Sequence, residues 1–156
     1  MLLDYEAKRQ VARFEPAFDP DEREVRSFFF THRLKSELEQ LGAGQTRTYL
    51  GKVRASLREY VCGEEIADDE SVFKKLVPWG DDIWEFRITF TPQARIFGAF
   101  VSFNMFLGIT GRLREDCADD GFEEAMDIVR DDWARLFGTA RRYRGALLDH
   151  CISNVC

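Results

Sequence analysis

Apolar positions along the 156-residue chain follow two repeats, and the changes between them mark out its elements. Between Arg33 and Leu41 the apolar Leu34, Leu38 and Leu41 recur at helical spacing, and Gly42 and Gly44 then stop the helix. Tyr49, Val53, Leu57 and Tyr60 carry the same stripe through Thr46–Val61, so the two segments predict a helical hairpin. Ahead of it, Glu24–Phe30 ends on three phenylalanines and reads as a strand, with Thr31 placed to cap the first helix. From Ile83 the repeat shortens to two: Trp84, Phe86, Ile88 and Phe90 alternate with Glu85, Arg87 and Thr89, the pattern of a half-buried strand. Arg95–Phe103 is apolar on both faces, as suits a central strand, and Met105–Thr110 returns as a third. After Gly111, Asp119 and Asp120 precede a helix with the stripe Phe122, Met126, Val129, Trp133 and Phe137, ended by Gly138. A terminal helix is expected over Arg141–Ile152.

Leu2, Leu3, Val11 and Phe14 give the start of the chain a short amphipathic stretch, which Pro16 and Pro20 break. The expected organisation is an N-terminal extension (1–23), a core domain (24–137) and a C-terminal helical extension (138–156). A 45% apolar composition with 14 Phe and 3 Trp supplies a core without disulfide or metal staples. The four cysteines are scattered with no CxxC pair, so they read as free thiols and no metal is expected. No run approaches the roughly 20 apolar residues that span a bilayer, and Met1–Glu6 lacks the basic start of a signal peptide; a cytoplasmic location without membrane contact is expected. The net charge of −6 disfavours non-specific nucleic-acid binding, but it is unevenly spread. Residues 71–114 carry six basic and three acidic side chains, whereas both flanks are acidic.

Three short segments, Phe73-Lys74-Lys75-Leu76, Ile83-Trp84-Glu85-Phe86-Arg87 and Arg95-Ile96-Phe97, follow one another with Gly111-Arg112-Leu113-Arg114 behind them. In this order and at about this spacing they resemble the RelE/ParE superfamily over roughly residues 24–137, most nearly its HigB-like branch, which includes the phage Gp49-like proteins. The resemblance implies an α+β, RelE-like fold: an antiparallel sheet of about four strands packed with an N-terminal helical hairpin and a C-terminal helix. It implies a toxin of a toxin–antitoxin system that cuts messenger RNA on the ribosome without a cofactor and is held by a cognate antitoxin, often a helix-turn-helix protein. The alternative it carries is a non-catalytic protein-binding module, as the gyrase-blocking ParE branch shows. Lysines of the RelE branch correspond here to Ile83 and Glu85, a Glu that the HigB branch tolerates.

RNA cut by its own 2′-hydroxyl needs that group held in line, the phosphorane charge neutralised and the leaving oxygen protonated. Arg87, Arg95, Arg112 and Arg114 come from three consecutive predicted strands or their ends, so a sheet could gather them about one phosphate. These four are the candidate catalytic residues. Arg95 matches the family's strand-start arginine, while Arg87 matches a framework arginine and is read either way, as phosphate ligand or as partner of a helix carboxylate. Lys74 and Lys75, before a Pro-Trp-Gly turn, are the candidate substrate contacts.

Overall fold

The computed structural model describes residues 2–44, 47–117 and 120–156. Thr46 and Asp119, read above into helix starts, lie outside the described residues, as does the Leu3 side chain. The described helices are α1 (Leu2–Ala7), α2 (His32–Ala43), α3 (Arg47–Cys62) and α4 (Gly121–Phe137). The strands are β1 (Val11–Arg13), β2 (Ser27–Thr31), β3 (Phe73–Lys75), β4 (Trp84–Ile88), β5 (Ala94–Ser102) and β6 (Met105–Leu113). They form one sheet in the order β1-β2-β6-β5-β4-β3.

This architecture corrects the expected fold. The sheet is six-stranded and mixed, not a four-stranded antiparallel RelE-like sheet, because β2 runs parallel to β6 while every other neighbour is antiparallel. The helical hairpin is not N-terminal either, since α1, β1 and β2 precede it. The parallel pair follows from the connections. Two helices in succession return the chain to the end of the sheet where β2 finished, so β3 sets off against β2, and three reversals later β6 runs with it. The two additional strands, β1 and β3, are three residues long, too short for an alternating pattern to declare itself. The helix expected over Arg141–Ile152 is also absent. That segment is irregular apart from a single 3-10 turn at Leu148–His150, and its polar backbone bonds to the sheet's surroundings instead: Tyr143 N–H donates to the Phe100 carbonyl (2.9 Å) and Asn104 N–H to that of Cys151 (2.8 Å).

Both faces of the sheet are covered, which explains why β5 is apolar on both sides. On one face lie α2, α3 and the tail, around Phe28, Tyr60, Phe73, Phe86, Phe100 and Phe106. Paired rings in this set stand 5.0–6.2 Å apart, edge-on or tilted, a geometry that adds to simple burial. On the other face α1 and α4 meet Phe29, Phe97, Leu107 and Ile109 through Leu2, Met126, Val129 and Trp133. Trp84, Phe86, Phe97, Phe100 and Trp133 are all buried. Thr31 links local to tertiary order: its hydroxyl accepts from Leu34 N–H (3.2 Å), capping α2, and donates to the Ile109 carbonyl (2.8 Å) on β6. At the far end of α4, Gly138 takes φ +60°, a conformation that favours glycine. No helix among the described residues is long and apolar enough to cross a membrane.

Candidate functional site

Strand register brings three of the four candidate arginines into a row. Arg87 on β4 stands opposite Arg95 on β5, and Arg95 opposite Arg112 on β6, so all three project from the same face. Arg114 follows at the end of β6, with its guanidinium 5.4 Å from the centre of the Phe122 ring. Like charges directly opposite one another repel, and two carboxylates offset them: Glu124 of α4 stands 3.4 Å from Arg112 Nη1, and Glu85 serves the other two. Glu85 is buried on the face that bears Arg87, accepts from Arg87 Nε at 2.7 Å, and lies 3.9 Å from Arg95 Nε.

The remaining donors are largely taken by the protein. Arg87 Nη1 donates to the Glu70 carbonyl (2.6 Å), Arg95 Nη1 to that of Ala94 (2.9 Å), and Arg112 Nη1 to that of Gly121 (3.2 Å) at the start of α4. Arg95 Nη2 reaches Gln93 Oε1 at 3.4 Å. Glu85 Oε2, Arg95 Nε and Arg112 Nε are buried without a hydrogen-bond partner among the described residues. Exposure rises across the cluster: the Arg95 side chain is 7% accessible, Arg112 17% and Arg87 24%, while Arg114 is exposed. Burial lowers the pKa of Arg95, Glu85 opposes that shift, and Arg87 and Arg114 add to it. Beside them, burial pushes the Cys117 thiol up, so it stays protonated at neutral pH, and its Sγ donates to the Leu113 carbonyl. The cluster opens beside a shallow depression of about 350 Å³ bordered by Thr91, Pro92, Gln93, Leu113, Arg114 and Glu115.

The two candidate lysines part company. Lys74 pairs with Glu70 (3.2 Å). Lys75 donates to Asp82 (2.7 Å) and to the Gly145 carbonyl (2.8 Å), at the turn between β3 and β4. It belongs to a different cluster from the arginines.

Sequence reasoning singled out the arginines but treated Glu85 as a departure from a family pattern, whereas its carboxylate lies between Arg87 and Arg95. The available signal was opposite charges two residues apart in one strand, Glu85 and Arg87, which share a face. Gln93 and Cys117 were also missed, and nothing in their local sequence marks them. Among the described residues no group of three or more His, Cys, Asp or Glu is placed to hold a metal ion. Compared with protein-family models, curated proteins and solved structures, the chain matches none.

Proposed function

We propose that this chain binds the phosphodiester backbone of RNA at the Arg87, Arg95, Arg112 and Arg114 cluster and cleaves it there, with messenger RNA on the ribosome as substrate and a cognate antitoxin as the controlling partner. One observation carries the reading: Arg87, Arg95 and Arg112 stand side by side on three strands with Arg114 just beyond, and against these four cations stand buried Glu85 and the exposed Glu124, a local excess of positive charge in an acidic protein. Such an excess favours an incoming phosphate, with Arg114 and the accessible parts of Arg87 and Arg112 making contact and buried Arg95 contributing its field. Glu85 orients Arg87 and Arg95.

A second reading, a non-catalytic RNA-binding protein, is favoured by Arg95 itself, whose terminal nitrogens are already engaged with Ala94 and Gln93. Purified protein and end-labelled RNA separate the two. Exposed Arg114 can be removed without disturbing the fold, and Arg114→Ala should weaken RNA binding and reduce the salt dependence by about one phosphate contact. If Arg95 stabilises the transition state, Arg95→Ala should lower cleavage per folded molecule about 100- to 1,000-fold. RNA binding unchanged by Arg114→Ala and Arg112→Ala together would overturn the proposal. In cells, cuts that vanish when translation is blocked would identify the ribosome-bound substrate.

A further inference from the structure

Away from the arginine cluster, the turn between β3 and β4 exposes the largest side chain of the protein. Trp79 is 68% accessible, whereas Trp84 and Trp133 are buried. The turn that carries it is firmly held. Asp81 accepts from Arg130 Nε (2.9 Å) on α4, and Asp82 from Lys75 (2.7 Å), so the ring is presented from an anchored support. Facing the turn is the segment after α4, itself fixed by Arg142 Nε, which donates to the Asp81 carbonyl, and by Tyr143 N–H on Phe100.

Between them runs a groove with two limbs, of about 440 and 270 Å³, which share Gly80, Asp82 and Arg144. Trp79 and His150 border the larger limb, and Arg130, Arg141 and Arg142 the smaller. Five cations, Lys75, Arg130, Arg141, Arg142 and Arg144, meet two carboxylates, Asp81 and Asp82. Lys75, Arg130 and Arg142 are committed to holding the walls. Arg141 is exposed and has no partner among the described residues, and Arg144, with 70% of its side chain accessible, stands 3.7 Å from Asp82. A planar apolar ring beside two available guanidinium groups matches a ligand that joins a flat ring to a phosphate.

We propose that this groove binds a nucleoside phosphate, the base lying on Trp79 and the phosphate taken by Arg144 and Arg141. The ligand is either a free nucleotide or one nucleotide of a single strand. The inference stands apart from the arginine cluster: mononucleotide binding reads the groove and RNA cleavage reads the cluster, so either can fail without the other.

Tryptophan emission of the full chain tests it, because Trp79 is the exposed tryptophan of the three; buried Trp133 borders the smaller limb, so the quenching should be lost in Trp79→Ala. AMP should quench the emission saturably, and ribose 5-phosphate, which lacks the ring, should not. By calorimetry Trp79→Ala should weaken AMP binding about 5- to 150-fold, the effect of losing one base–aromatic stack. Arg144→Ala should weaken it about 10-fold or more. Neither side chain is part of the core, so both variants should keep the parent melting temperature. A ten-nucleotide oligoadenylate bound no tighter than AMP assigns the site to free nucleotides, and one bound much tighter assigns it to a strand. Ribose 5-phosphate binding as tightly as AMP, an AMP affinity unchanged in Trp79→Ala, or no saturable binding of AMP or the oligonucleotide would overturn the proposal.

Discussion

Arg95 is held on three sides by its own protein: the Ala94 carbonyl, the Gln93 side chain and, at 3.9 Å, the carboxylate of Glu85. Truncating it would leave buried Glu85, one of whose oxygens already has no hydrogen-bond partner among the described residues, with Arg87 as its remaining partner. The expected cost is about 1–3 kcal/mol, the usual penalty for stranding a buried polar group, and it should appear as a melting temperature several degrees lower. Arg114, exposed over Phe122, should show no such drop. Thermal melts of the two alanine variants, run beside the RNA assays, therefore separate stability from function. An Arg95→Ala protein as stable as its parent would contradict the hydrogen bonding described here. Arg26 shows how differently an arginine can be used. Wholly buried and with no carboxylate partner among the described residues, it donates to the carbonyls of Tyr60, Glu64 and Ser153, and burial lowers its pKa.

Elements are joined by contacts that local sequence does not announce. The long β5–β6 pair shifts register between Phe97 and Gly98, where β6 approaches so closely that a Cβ on Gly98 would lie 2.0 Å from the Leu107 carbonyl oxygen. That oxygen belongs to the backbone and cannot step aside. Gly98→Ala should therefore destabilise the protein by about 1–3 kcal/mol or more, measured by denaturant unfolding, and a neutral result would refute the close approach. Helix α2 is tied to α4 from the opposite side of the sheet by Arg33 Nε, 2.8 Å from Asp132 Oδ2, with Arg135 at 3.2 Å from the other oxygen. Burial pushes the Asp132 carboxyl up, but the hydrogen bond and charge of Arg33, joined by Arg135, outweigh it and hold the pKa below the ordinary value. A depressed carboxyl stabilises the folded state above its unfolded pKa of about 3.9, and that contribution is lost as the pH falls through the folded value. The melting-temperature difference between the parent and Arg33→Ala should be largest above about pH 4 and shrink in stronger acid. A difference that does not change with pH would rule out this linkage.

At the scale of the whole molecule, the end of the chain completes the core. Leu148, Cys151 and Ile152 are buried with the phenylalanine cluster, Ser153 accepts from Arg26, and Val155 bridges to Ile66. Two fully buried aliphatic side chains contribute about 3–6 kcal/mol between them, a large part of the roughly 5–15 kcal/mol that stabilises a domain. Deleting residues 147–156 should abolish cooperative unfolding or halve its midpoint in denaturant. Cys151, whose thiol burial raises to about 12, should react with a thiol reagent in the full chain only on unfolding. Rapid labelling of Cys151 in the native protein would show that the tail is not docked. The hairpin helices, the strands after Ile83 and the helix ending at Gly138 were legible in the sequence because each spans enough residues for its repeat to be counted. The three-residue strands β1 and β3 were not, nor was the irregular tail, whose apolar residues mimic a helical stripe while its backbone bonds elsewhere. The same division holds for the candidate site. The kinds and spacing of Arg87, Arg95, Arg112 and Arg114 could be read directly, as could an aromatic residue within a turn. Which of them share a face, that Glu85 sits among them, and that Lys75 turns away toward Asp82 depend on strand register. Periodicity is a property of neighbours in the chain, so the sequence alone reveals it. Register, the parallel pairing of β2 with β6 and the partner of each charge arise between residues far apart in the chain, and only the packed structure decides them.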